Sequence, residues 1–303
     1  MRRVICAAAL VTALALLCGC GKKDVQPMEG SVVANTIPVE GVTALTLSDG
    51  EVTLRFARSG DVWHWVDDET FPLDQSAVEE LLALPASLAG AAPVENQGEL
   101  SGYGLEAPKK YITATADGAD STIYVGSQAT DGRWYVLTPD GAVRLAEQAD
   151  GEALSRSIYS MAVLPALPKI TAENLLSLSL SGKAGTLVTF SVDESGARRS
   201  GSRDVTAETA ELIAELGTMT VTACVDYDPA EGAAEVCGLD VPEAVLAVNY
   251  TDANGGDGAL TLTVGGSTGD GGRYVTLSQD STIYRMEETS LAQVLTLAKL
   301  GLL

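Results

Sequence analysis

His64 is the chain's one histidine. It lies between Trp63 and Trp65, so in an extended strand its side chain points away from both tryptophans. A general base or metal ligand there would need companions, and no His-x-x-His, His-Glu-x-x-His or Gly-x-Ser-x-Gly supplies them. His64 is therefore expected as a surface or edge residue, with no catalytic role. Cys224 and Cys237 could close a loop of about 13 residues, a bridge that would add roughly 3 kcal/mol in an oxidising compartment. Equally, the two thiols could stay unpaired and buried. Two cysteines without histidines or a second pair do not make a zinc site. The run Asp252-Ala253-Asn254-Gly255-Gly256-Asp257-Gly258 is acidic enough for calcium, as is the run around Asp226 and Asp228. The first has Gly256 where a fifth-position ligand is needed and Asp257 where glycine is needed, so a glycine-rich hairpin turn is expected. Gly265-Gly266-Ser267-Thr268-Gly269 follows a strand, yet no helix or Gly-Lys-Ser/Thr follows it, which excludes a phosphate loop. No catalytic residue, metal or cofactor is expected.

Aromatic residues make up 5% of the chain, which is thin for a carbohydrate platform. Tyr124, Trp134, Tyr135, Tyr274 and Tyr284 fall in sheet-like stretches and are the candidates for a ligand surface. Cross-strand packing is the simpler reading of them. A groove between the two halves of the chain is the default pocket.

The chemistry with the clearest signature is at the start. Met1-Arg2-Arg3 is basic, and residues 4–17 form an apolar run of signal-peptide length, too short to span a bilayer. Leu17-Cys18-Gly19-Cys20 then resembles the bacterial lipobox. That resemblance implies a diacylglyceryl thioether on Cys20 and cleavage after Gly19. Two or more acyl chains would hold the protein stably, because each buried methylene contributes about 0.8 kcal/mol. Residues 1–19 read as a lipoprotein signal peptide and residues 20–36 as a flexible tether reaching about 20–25 Å. The expected location is the extracytoplasmic face of the cell membrane, with the membrane itself as partner through the anchor.

The formal net charge is −22, and loss of residues 1–19 removes Arg2 and Arg3 and no acid, leaving −24. Such an acid excess excludes a nucleic-acid partner, which needs clustered Lys and Arg. At 46% hydrophobic residues the chain can still build a core.

The elements come in two similar sets. Tyr103-Gly104-Leu105-Glu106-Ala107-Pro108 returns as Cys237-Gly238-Leu239-Asp240-Val241-Pro242, an offset of 134 positions. Ile123-Tyr124-Val125-Gly126 matches Leu262-Thr263-Val264-Gly265, and the strand pattern at 42–47 matches that at 175–180. Alternation predicts strands over 111–115, 122–125, 134–138 and 143–145, then over 245–250, 260–264, 273–277 and 282–285. Asp117-Gly118, Asp131-Gly132 and Asp140-Gly141 are hairpin turns. A helix capped by Asp74 buries Val78, Leu81, Leu82 and Leu88, and one capped by Thr206 buries Leu212, Ile213 and Leu216. Further helices are expected near 152–161 and 290–300. The fold class is α+β: two homologous units, 37–166 and 167–303, each a mostly antiparallel sheet with one or two packed helices.

This pattern resembles the bacterial family called domain of unknown function 4340, found in one or more copies in exported lipoproteins. The residues that carry the likeness are Trp63, Phe71-Pro72-Leu73-Asp74, Tyr103-Gly104-Leu105 with Pro108, Val125-Gly126 and Tyr135, over roughly residues 40–303. In the second unit Cys237 replaces the aromatic and no tryptophan answers Trp63. The resemblance implies no established activity. It implies a neighbourhood, since members often lie beside ABC-type transport components, including some resembling the gliding-motility auxiliary proteins. The expectation is a non-enzymatic binding or accessory lipoprotein partnered with ABC-type transporter subunits. The alternatives are a solute-binding receptor, which predicts parallel sheets with alternating helices, and an extracytoplasmic hydrolase, which needs a nucleophile, base and orienting group.

Overall fold

A computed structural model of the chain describes residues 41–278 and 280–302. The expected leader 1–19, the lipid-bearing Cys20 and the tether 20–36 lie outside the described residues. The first sheet begins with β1 (Val42–Ser48), β2 (Thr53–Ser59) and β3 (Val62–Trp65). The chain then forms α1 (Gln75–Gly90) and the short edge strand β4 (Ala92–Pro93), and returns through β5 (Lys110–Ala116), β6 (Ala119–Gln128), β7 (Trp134–Leu137) and β8 (Val143–Ala146) to α2 (Gln148–Ala153). The spatial order is β3-β2-β1-β5-β6-β7-β8-β4, antiparallel throughout.

The second sheet comprises β9 (Leu175–Gly182), β10 (Leu187–Val192), β11 (Arg198–Ser200) and β12 (Arg203–Asp204). Then come α3 (Ala210–Leu216), β13 (Ala223–Asp226), α4 (Ala233–Val236), β14 (Ala244–Thr251), β15 (Asp257–Ser267), β16 (Gly272–Leu277), β17 (Ile283–Glu287) and α5 (Ala292–Leu300). Its order, β12-β11-β10-β9-β14-β15-β16-β17-β13, repeats that of the first sheet with β12 added at one edge. The protein is thus mixed and strand-rich, with two antiparallel sheets and few helices, and both sheets lie in one compact unit.

Alternation decides which face is buried. Leu45, Leu47, Phe56, Ile112, Ile123, Val125 and Val136 are all nearly inaccessible, while the residues between them face outward. In register, Leu45 pairs with Phe56, Ile112 with Ile123, and Val125 with Val136, so one face is continuous across five strands. α1 covers it with Val78, Leu81 and Leu88, all buried. Asp74 caps α1, accepting the Ser76 N–H at 2.9 Å and the Ser76 hydroxyl at 2.7 Å. At the β5–β6 hairpin both Asp117 (φ 50°) and Gly118 (φ 76°) are left-handed, the two-residue turn that matches strand twist.

Gly104 (φ 69°) and Gly238 (φ 66°) give the shared Gly-Leu motif its physical reason. Each lets the chain leave a short helical turn in the left-handed region. Leu105 or Leu239 is thereby laid against a strand glycine: a Cβ on Gly126 would strike the Tyr103 carbonyl and Leu105, and one on Gly265 would strike the Cys237 carbonyl and Leu239.

Two expected helix limits differ. The stretch 152–161 is not one helix: α2 ends at Ala153 and a separate 3₁₀ turn, Ile158–Met161, follows with Ser157 as its cap. Gly151 must press flat against the Trp134 ring, and the polar Ser155-Arg156-Ser157 stretch then redirects the chain. Thr206 does not cap α3, which begins at Ala210. Its hydroxyl instead accepts the Arg198 backbone N–H at 2.9 Å, and its carbonyl accepts the Arg198 guanidinium. Arg198 Nε also donates to Thr209 Oγ1 at 2.6 Å. Arg198 occupies the register of Trp63: Trp63 pairs with Arg58 and Arg198 with Val192, each two residues beyond a core phenylalanine. Both are 5% exposed. The guanidinium is buried among threonine oxygens, and among the described residues no carboxylate lies within ion-pair distance of it.

Candidate functional site

Both sheets contribute to a crevice at their junction. The segment after the first sheet folds back onto the start of α1: Asp74 N–H donates to Met161 O at 2.8 Å and Val163 N–H to Pro72 O at 2.7 Å. This lays the turn Ile158–Met161 against β13. Phe71, 5% exposed, is the hub. Its ring lies 5.4 Å from Trp65, 6.4 Å from Tyr159 and 5.2 Å from Tyr227, so aromatic residues of both halves meet on it. Two hydrogen bonds cross the same boundary. Tyr159 OH donates to Asp226 Oδ1 at 3.2 Å, and Tyr227 OH donates to Thr70 O at 2.9 Å.

Beside this cluster is a cavity of about 330 Å³ with Pro72, Leu164 and Pro165 on one wall and Asp280, Thr282 and Tyr284 on the other. Thr282 Oγ1 donates to Tyr227 O at 3.1 Å, and Tyr284 OH donates to Asp280 Oδ2 at 2.9 Å. Burial, reinforced by the Asp280 carboxylate, pushes the Tyr284 phenol up to about 12. Burial also raises Tyr159, with the Asp226 charge adding to it. Cys224, paired with Tyr284 across β13 and β17, is pushed to about 11 by burial, then by Asp226 and Asp280. All these groups hold their protons at neutral pH. The crevice offers fixed phenol and hydroxyl groups, one exposed carboxylate and an apolar wall. Such groups can hydrogen-bond to a ligand and pack against its apolar parts.

The residues singled out from sequence are dispersed. Tyr124 and Tyr135 face outward from the first sheet, stacked with Tyr111 at 6.2 Å and Tyr103 at 4.9 Å. Trp134 points to the other face, with Lys110 Nζ 4.6 Å above its ring and its indole N–H buried without a partner. Tyr274 belongs to the second sheet's outer face, and of the five aromatics only Tyr284 lines the crevice. They do not form one surface. Cys224 and Cys237 are free, buried thiols, the unpaired alternative of the two left open. His64 sits on edge strand β3, and its side chain has no hydrogen-bond partner among the described residues. Asp252 is a turn residue that accepts the N–H groups of Asn254 and Gly256, both at 2.8 Å. Among the described residues no group of three or more His, Cys, Asp or Glu could hold a metal ion. Nor is any helix among them long and apolar enough to cross a membrane.

Sequence reasoning missed Phe71 as a hub, together with Tyr159, Tyr227 and Asp280. Phe71-Pro72 was legible as a helix start. Its contact with Tyr227 joins residues 156 positions apart, and no local pattern encodes that.

Residues 63–211 match the model of the family described as domain of unknown function (DUF4340). The match starts in β3, crosses the junction and ends within α3. No curated protein matches the chain, and no solved structure does.

Proposed function

We propose that the chain is an exported, lipid-anchored envelope protein of the binding or accessory class, without enzymatic activity, working beside an ABC-type transport system. The anchor reading rests on one observation, the order of a basic start, an apolar run and Leu17-Cys18-Gly19-Cys20. Cys20 would carry the acyl groups and hold the acidic body at the extracytoplasmic face of the membrane. The body would be two copies of one α+β unit, extending the family likeness beyond residues 63–211. The common strand order and the paired glycines Gly104 and Gly238 support that duplication. The binding reading is supported by the junction crevice, where the phenol of Tyr284 stays protonated beside Asp280 and an apolar wall. The transporter partner follows from the family's neighbourhood alone.

Metabolic labelling with an alkyne fatty acid tests the anchor. The parent protein is expected to take the label and partition into detergent, and Cys20→Ser to lose both properties. A chain that retains its leader and takes no label overturns the reading. Affinity isolation in mild detergent is expected to recover transport subunits with the parent, and their absence removes the transporter assignment.

A further inference from the structure

Strand register makes the outer faces of the two sheets comparable position by position. Tyr111, Tyr124 and Leu137 lie abreast in the first sheet, and Val245, Thr263 and Thr276 lie abreast at the same places in the second. These residues face outward, because their neighbours Ile123, Val125, Leu262 and Val264 are in the core. The residue before the left-handed glycine is Tyr103 in one case and Cys237 in the other. Three tyrosines and a leucine are thus replaced by smaller side chains. Where the first sheet has Tyr124, set against Tyr111, and Leu137, the second has Thr263 and Thr276 and a cavity of about 440 Å³ between the α4 turn and the sheet. Ala230, Ala234, Leu239 and Ile283 supply its apolar lining, and Thr263 and Thr276 supply hydroxyls.

The chain segment that forms one side of the cavity, residues 226–240, carries charge of one sign. From Asp204 to Gly272 the sequence holds 13 carboxylates and no Lys, Arg or His. Glu231 lines the cavity, and Asp228, Glu235 and Asp240, on the same stretch of chain, are exposed. Val236, 86% exposed on α4, adds an apolar shoulder.

We propose that this cavity docks an aromatic side chain, tyrosine or phenylalanine, presented on a Lys- or Arg-flanked segment of a partner polypeptide. Thr263 lines this space at the register position that Tyr124 holds on the first sheet. An aromatic ring gains most from apolar walls with a polar handle at one end, and a phenol would meet the threonine hydroxyls. Flanking cations would meet the acidic rim, which draws them in and repels acidic segments. Small residues stand here where the first sheet has Tyr124 and Leu137.

The test titrates a labelled pentapeptide, one tyrosine between two pairs of lysines, into the full chain in neutral detergent and reads binding by fluorescence anisotropy. The same peptide with alanine in place of tyrosine is expected to bind about tenfold more weakly, as is the one with glutamates in place of lysines. Thr263→Tyr, which installs the first sheet's residue, should weaken the tyrosine peptide about tenfold with unchanged circular dichroism, and Thr189→Tyr, elsewhere on that face, should leave it unchanged. The exposed pair Glu231→Gln and Glu235→Gln should weaken it severalfold without touching the fold. Equal binding of the tyrosine and alanine peptides, or undiminished binding by folded Thr263→Tyr, overturns the proposal.

Discussion

At the scale of single residues, burial governs chemistry more than residue type does. Cys224 and Cys237 are the thiols that an oxidising compartment would be expected to join, yet both are buried and burial raises both above the ordinary thiol value. A thiol is reactive in proportion to its thiolate fraction. Both are therefore expected to resist iodoacetamide at about pH 8 in the native protein and to be alkylated once it is unfolded in urea without reductant. Recovery of a Cys224–Cys237 cross-linked peptide by mass spectrometry contradicts this. Arg198 makes the same point from the other direction. Its type suggests a surface cation, and its position in the Trp63 register puts it inside, where threonine oxygens replace water. The sequence carries Arg198 in plain view and no local sign that it is buried.

Elements were more legible than the contacts between them. Period-two alternation locates the meander strands in both halves to within a few residues, because hairpin partners are close in sequence and one face must be apolar. The short strands β4 and β13 were missed, since two to four residues carry no period and each pairs with a strand about 50 or more positions away. The helix near 290–300 was legible as α5, but its cap was not. Its cap comes from another helix: Glu215 of α3 accepts the backbone N–H groups of Gln293, at 2.8 Å, and Val294, at 3.0 Å. A carboxylate there meets the positive end of the helix dipole and satisfies donors the helix leaves open. Glu215→Ala is expected to cost about 1–2 kcal/mol, as loss of an N-cap does, measured by urea denaturation. An unchanged midpoint would show that α5 needs no such cap.

For the whole molecule, the acid excess shapes how stability depends on pH. Asp49, held by the N–H groups of Val52 and Glu51, lies below the ordinary carboxylate value. So do Asp74, held by the Ser76 hydroxyl, Asp140, by the Thr138 hydroxyl, and Asp270, by the Thr268 hydroxyl. Each folded value is depressed, so each contribution is complete above the unfolded value of 3.8 and is lost as pH falls through the folded one. Glu215 opposes them: burial raises it, so its contribution fades as pH rises through its folded value above 4.5. Many turn aspartates outweigh one glutamate. Tm is expected to hold nearly level from about pH 7 to 5 and to fall below about pH 4, and a Tm that rises on acidification contradicts the assignment.

The placement of β4 and β13 has a consequence for biogenesis. Each is laid down before the last strands of its sheet, yet among the described residues its one ladder partner, β8 or β17, is the last strand of that sheet to be made. A ribosome therefore releases β4 and β13 before anything exists for them to zip onto, and β8 and β17 close their sheets late. A nascent chain interrupted ahead of β17 would expose β16 as a raw border, open to any passing strand, and full-length synthesis is what seals it.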